Sequence, residues 1–234
     1  MPQRTPLVLL PGLLCDERLW RDQVRNLGDI ADATVADLTL DDTLSAMAKR
    51  VLDAAPARFA LVALSMGGYV AFEMLRQQPE RVSRLALLDT SASPDTPQRT
   101  AQRLAGIKSL QLGRFFGVTA RMLPQLVHAR HVDGQVGEEV RAMAKRVGGD
   151  AFLRQQNAIL ARPDSRPLLA SIKVPTLIAV GDCDVLTPPG DAEQMHRNIA
   201  GSSLHVFPCC GHLPPMEIPE ETAALLRQWL LGLY

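Results

Sequence analysis

Residues Ala60 to Leu75 read ALVALSMGGYVAFEML. An unbroken apolar run meets a serine, two glycines follow, and apolar residues then return at helical spacing. Phe59 to Leu64 reads as a strand buried on both faces and Met66 to Gln77 as a helix, which puts Ser65 in the turn at the strand's carboxyl end. Parallel sheets bind ligands along that edge. A strand-to-helix turn this sharp presses backbones together, and Ala63, Gly67 and Gly68 are small enough to allow it. The hydroxyl then stands clear of the sheet beside a helix N-terminus, where dipole and free N–H groups favour developing negative charge. The rival reading makes Ser65 an N-cap and the glycines packing residues, and the tetrapeptide alone does not decide.

Outward from this turn, short apolar runs recur: PLVLLPG, ADATVADL, RLALLDTS, PTLIAVGD and SSLHVFP. Helical periodicity separates most of them, over Glu17 to Leu27, Leu44 to Ala54, Met66 to Gln77 and Glu220 to Leu231. Strand alternating with helix predicts a parallel sheet of about six strands covered on both faces. The alternation lapses between Ala92 and Ile172, where Gln98 to Leu110, Val136 to Val147 and Asp150 to Ala161 look helical and no strand is evident. This predicts a core of residues 1–91 and 173–234 carrying a helical lid over 92–172.

A serine hydroxyl is a weak nucleophile that needs a base, itself oriented by a third group. VGDCDVLTPP sets Asp182 and Asp184 just past one strand, and PCCGHLPPMEIPEE sets His212 in the loop after the last. Two acids on one tight loop cannot be separated by spacing. In LLPGLLCDERLW the first strand ends in Pro11-Gly12, so the Leu13 N–H can face the same edge and pair with that of Met66 as an oxyanion hole. His205 alternates within a strand, while His128, His131 and His196 sit among helical residues; all four read as structural or solvated. Cys183, Cys209, Cys210 and His212 lack paired C-x-x-C spacing, so no metal is expected.

The 234 residues are 47% hydrophobic with zero formal net charge, enough apolar content to bury a full core. Neutral balance offers no footprint for nucleic acid, and no apolar run approaches the roughly 20 residues of a membrane helix. The run from Leu7 to Leu10 is too short for a secretory signal core, and four irregularly spaced cysteines do not form a disulfide framework; a cytoplasmic location is expected.

The ordered set of S-M-G-G at Ser65, G-x-x-D from Gly181 to Asp184 and G-H-x-P at His212 resembles the α/β-hydrolase family over nearly the whole chain. The resemblance implies an α/β-hydrolase fold with a lid after RLALLDTS and a sheet ordered 4-3-5-6-7-8 in the family's scheme, without its first two strands. It assigns Ser65 as nucleophile, His212 as base and Asp184 as orienting acid, with Leu13 and Met66 N–H groups holding the oxyanion. Two departures stand out: Pro11-Gly12 replaces the usual His-Gly, and VADLTLDDTLSAMA lacks the family's D-x-x-G-x-G loop, which shortens one wall of the pocket.

The expected activity is cofactor-free serine hydrolysis of a small acyl substrate, first a carboxylic ester. Hydrolysis of carbon–carbon bonds or enol lactones, a lyase reaction, or a non-catalytic receptor of the same fold are the alternatives. The lid segment 92–172 carries 12 basic and 6 acidic residues, a net +6, which leaves −6 on the rest. Either the arginines solvate helices and pair with the acidic core, or their field draws anionic acyl groups to the pocket.

Overall fold

The computed structural model describes residues 4–233. Six strands, β1 (Thr5–Leu10), β2 (Ala31–Val35), β3 (Phe59–Leu64), β4 (Val82–Leu88), β5 (Thr176–Gly181) and β6 (Ser203–Phe207), form one sheet ordered β2-β1-β3-β4-β5-β6. Every neighbouring pair is parallel. This is the order that the family resemblance implies. Burial explains the strand composition: β3 and β5 are covered throughout, whereas the edge strand β2 alternates buried with exposed residues.

On one face Leu7, Leu9, Ala60, Val62 and Leu64 pack with Leu27, Leu226 and Trp229 from α1 (Arg21–Leu27) and α9 (Pro219–Leu230). On the other, Val8, Leu10, Leu61 and Ala63 meet α2 (Leu44–Ala54), α3 (Met66–Gln77) and α7 (Pro189–Asn198) through Met47, Phe72 and Met195. The expected helix over Glu17 to Leu27 divides into a 3-10 turn, Glu17–Trp20, and α1. Asp16 caps that turn by accepting the Arg18 N–H.

Between β4 and β5 the described residues hold no strand, only helical elements, including α4 (Pro97–Gln111), α5 (Leu123–Leu126) and α6 (Gln135–Leu160). The two helices expected from Val136 and Asp150 are arms of α6, joined at Gly148 with φ 80° and ψ 175°. A Cβ there would meet nothing within 4 Å, so backbone conformation and not packing asks for the glycine. Among the described residues no helix is long and apolar enough to cross a membrane. The short α8 (Pro214–Glu217) follows the His212 loop.

Candidate active site

Ser65 lies between β3 and α3 with φ 54° and ψ −116°, a conformation that costs a non-glycine residue about 1–3 kcal/mol. Three hydrogen bonds hold it there. Its N–H donates to Leu88 O at 3.1 Å, and its carbonyl accepts from Gly68 N at 2.9 Å and Thr90 Oγ1 at 2.7 Å. The glycines are required by contact: a Cβ on Gly67 would sit 2.5 Å from Leu10 O, and one on Gly68 would overlap the Thr90 side chain. The Ser65 side chain makes no capping bond, so the N-cap reading has no support.

The loop after β1 passes alongside, with the Gly12 Cβ position 3.5 Å from Ser65 Cβ. Neither Leu13 N–H nor Met66 N–H donates to another described residue. Both are therefore available to an oxygen at the edge of the turn.

Asp184 and His212 come together from the ends of β5 and β6. His212 Nδ1 lies 2.7 Å from Asp184 Oδ2, and both side chains are almost fully buried. Asp184 also accepts from Leu186 N at 2.8 Å, Thr187 N at 3.2 Å and Thr187 Oγ1 at 2.7 Å. Burial pushes its carboxyl pKa up, but the His212 interaction and the Thr187 bonds outweigh it and hold the group below the ordinary value. An ionised acid can only accept, so the imidazole proton sits on Nδ1 and leaves Nε2 as the basic nitrogen. No hydrogen bond joins His212 to the Ser65 hydroxyl. Such contacts often tighten only with substrate bound.

Asp182 is exposed, and its Oδ1 accepts the Cys210 N–H at 3.1 Å, tying the two loops together away from the imidazole. Gly181 lets these loops touch, because a Cβ there would overlap the carbonyl oxygens of Cys210 and Gly211.

Two further acids belong to the site and were not singled out from sequence. Buried Glu217 accepts the N–H groups on both sides of the histidine, Gly211 at 3.1 Å and Leu213 at 3.0 Å, and that of His128 at 2.7 Å. His212 N donates to Leu126 O at 3.1 Å, so the histidine loop is bound to the C-terminal end of α5. Asp89, at the end of β4 with φ 43°, accepts the Gly181 N–H at 2.9 Å on Oδ1 and leaves Oδ2 buried without a partner. Burial, then the Asp184 charge, raise its pKa well above its ordinary value. The G-H-x-P-x-x-E spacing was the available signal for Glu217; nothing local marked Asp89.

Asp89, Asp184 and His212 bring possible metal-ligand atoms within 4.8 Å of one another. The donor set does not suit a cation, since Asp184 already takes four hydrogen bonds, one of them from the only imidazole nitrogen facing it. Cys183, Cys209, Cys210 and His212 do not bring three ligand atoms within 4.8 Å of one another among the described residues. Burial keeps the Cys15 thiol protonated, its pKa raised to about 12. His196 Nδ1 contacts Ser202 Oγ at 2.9 Å and His205 packs edge-on to Phe207.

Above this edge, part of the lid charge is neutralised. Arg103 and Arg162 bind Asp95 at 2.7 and 2.9 Å, and Arg146 binds Asp16 of the core at 2.8 Å. Lys108, Arg114, Arg121, Arg141 and Lys145 make no ion pair among the described residues. Near them Leu112 and Phe116 are 63% and 69% exposed.

The alpha/beta hydrolase family profile matches residues 7–225. A pimeloyl-[acyl-carrier protein] methyl ester esterase of Nitrosomonas europaea is 32% identical, covering 92% of this chain and 91% of that protein. A protein of the same description from Neisseria meningitidis is 32% identical over 72% of this chain and 68% of its own length. Among solved structures, a thermophilic esterase from Thermogutta terrifontis superposes with a TM-score of 0.87 at 31% identity, covering 97% of this chain and 90% of that one. An enol-lactonase from Burkholderia xenovorans shares the fold at a TM-score of 0.83 and 22% identity, over 98% of this chain and 92% of its own. With the sheet order, the strained serine turn and the buried acid–histidine pair, these matches make the chain a member of the alpha/beta hydrolase family.

Proposed function

We propose that this protein is a serine esterase whose nucleophile is Ser65, base His212 and orienting acid Asp184. The observation that carries the reading is the buried 2.7 Å Asp184–His212 pair at the same sheet edge as the strained Ser65 turn. His212 Nε2 takes the Ser65 proton as Oγ attacks the ester carbonyl. The oxyanion forms against the Leu13 and Met66 N–H groups, each worth about 2.7–4 kcal/mol in such a role. Collapse expels the alkoxide, which receives the proton from His212, and leaves an acyl-Ser65. Water deprotonated by the same nitrogen then releases the acid and regenerates the serine.

The substrate we propose is a short-alkyl ester at the end of an acyl chain held on an acidic carrier protein, with residues 92–172 as the cap that receives it. The full-length relative acts on such a methyl ester by its name, and the unpaired cations beside exposed Leu112 and Phe116 suit an acidic partner with an emerging acyl chain. Methanol release from a carrier-bound acyl methyl ester tests this. Ser65-dependent turnover with kcat/KM well above that for the same ester off the carrier is expected, and preference for the free ester would overturn the substrate assignment.

A further inference from the structure

A buried lid side chain hydrogen-bonds the proposed oxyanion loop. Gln155, on the second arm of α6, is fully buried. Its Oε1 accepts the Leu14 N–H at 3.1 Å, and its Nε2 donates to Leu38 O at 3.1 Å, in the segment after β2. Leu14 has φ 59°, a left-handed conformation that a leucine holds only against strain, and the turn closes through Cys15 N donating to Gly12 O at 3.2 Å. On the opposite edge of the Leu13–Leu14 peptide, the Cys15 thiol donates to Leu13 O at 3.5 Å. That peptide plane is therefore gripped at both its N–H and its C=O, and the preceding plane carries the Leu13 N–H.

A polar group buried this deeply is costly unless both its ends are satisfied, and here both are satisfied by strand-end loops rather than by its own helix. Leu38 lies in the stretch that lacks the glycine-rich loop, so the lid amide supplies a bond where a longer loop would pack. Arg154 adds a second tie nearby, donating to Thr39 O at 2.7 Å.

We infer that Gln155 is a positioning residue: from the lid, it sets the orientation of the Leu13 N–H and so couples seating of α6 to stabilisation of the oxyanion. The inference rests on the esterase reading, in which Leu13 is an oxyanion donor. A displaced donor is lost only in the transition state, where it matters most. Binding of the ground-state ester is untouched.

The test compares Gln155→Met, which keeps length and loses both bonds, with Gln155→Glu, which buried and neutral offers the same acceptor and donor. Total loss of an oxyanion donor costs about 10²–10³ in rate, so a misplaced one in Gln155→Met should lower kcat on a small neutral ester by about 10- to 100-fold. KM should stay within about twofold. Affinity for a trifluoromethyl ketone, whose hemiketal oxyanion occupies the hole, should fall in parallel with kcat, and Gln155→Glu should recover most of both. If Gln155→Met does not fold, Gln155→Asn, one methylene too short to reach Leu14, carries the same expectation. Wild-type kcat and ketone affinity in a folded Gln155→Met or Gln155→Asn enzyme, or a loss that Gln155→Glu shares in full, overturns the inference. Absence of Ser65-dependent ester hydrolysis in the unmodified protein would instead remove the esterase reading beneath it.

Discussion

The strand-end turns and the lid hold their polar side chains by different means. At the turns most bonds have a backbone group at one end: Ser65 N–H on Leu88 O, the Leu186 and Thr187 N–H groups on Asp184, and the Gly211 and Leu213 N–H groups on Glu217. In the lid the partners are long charged side chains, as in Arg146–Asp16 and Arg103–Asp95. A backbone partner is already ordered by the sheet, whereas an arginine pair gives up rotamer freedom and weakens as salt rises. On the proposed assignment the catalytic geometry is therefore built into the core in advance, and the lid is the adjustable part. Gln155, Arg154 and Arg99 depart from that pattern, lid side chains bonded to backbone groups of the core, and of the three Gln155 is fully buried.

The largest test of that contrast lies in the core. His212→Ala should lower kcat by several orders of magnitude while the thermal midpoint moves by a few degrees, because triad members act as a unit. Retention of more than a tenth of the activity would place the base elsewhere. Next come the two acids on one loop. Asp184→Asn should cost about 10⁴ in kcat by disturbing the imidazole tautomer, and Asp182→Asn, whose carboxylate is held by the Cys210 N–H and not by the imidazole, far less. A larger loss in Asp182→Asn would reverse the assignment.

The strands and the sharp turn at Ser65 were legible because they are local. A run such as FALVAL is apolar throughout because both its faces are covered, and the small residues flanking Ser65 are demanded by contacts within one turn. Gln155, the bond from His128 to Glu217, and Asp89 were not legible. The partners Leu14, His128 and Gly181 lie 141, 89 and 92 residues away, and no periodicity encodes a bond to a distant backbone N–H. Charge counting found the lid's excess of basic residues, but only the fold shows that Asp95 and Asp16 neutralise some of them.

A smaller effect probes the core through pH. Asp89 is raised when folded by burial and by Asp184, while in the unfolded chain it titrates near the ordinary value of about 3.9. Above that pH the unfolded chain releases a proton that the folded chain keeps, so Asp89 favours folding less and less until its raised folded value is passed. Asp89→Asn keeps an Oδ1 for the Gly181 N–H and cannot titrate. Its thermal midpoint should gain on the parent protein's as pH rises above about 4, and parallel curves would show that Asp89 does not hold its proton. The smallest effect belongs to the lid: kcat/KM for an anionic ester should fall severalfold between low and about 0.15 M salt, where the screening length is about 8 Å. A neutral ester of equal length should barely respond. Equal responses would make the unpaired lid cations ordinary surface.

The most direct measurement is to treat the protein with a fluorophosphonate and map the modified peptide by mass spectrometry. Attack by Ser65 Oγ should leave one phosphonyl group per chain, on the peptide containing Ser65, with neither label nor ester turnover in Ser65→Ala. A label on another residue, or ester hydrolysis that survives Ser65→Ala, would contradict the account.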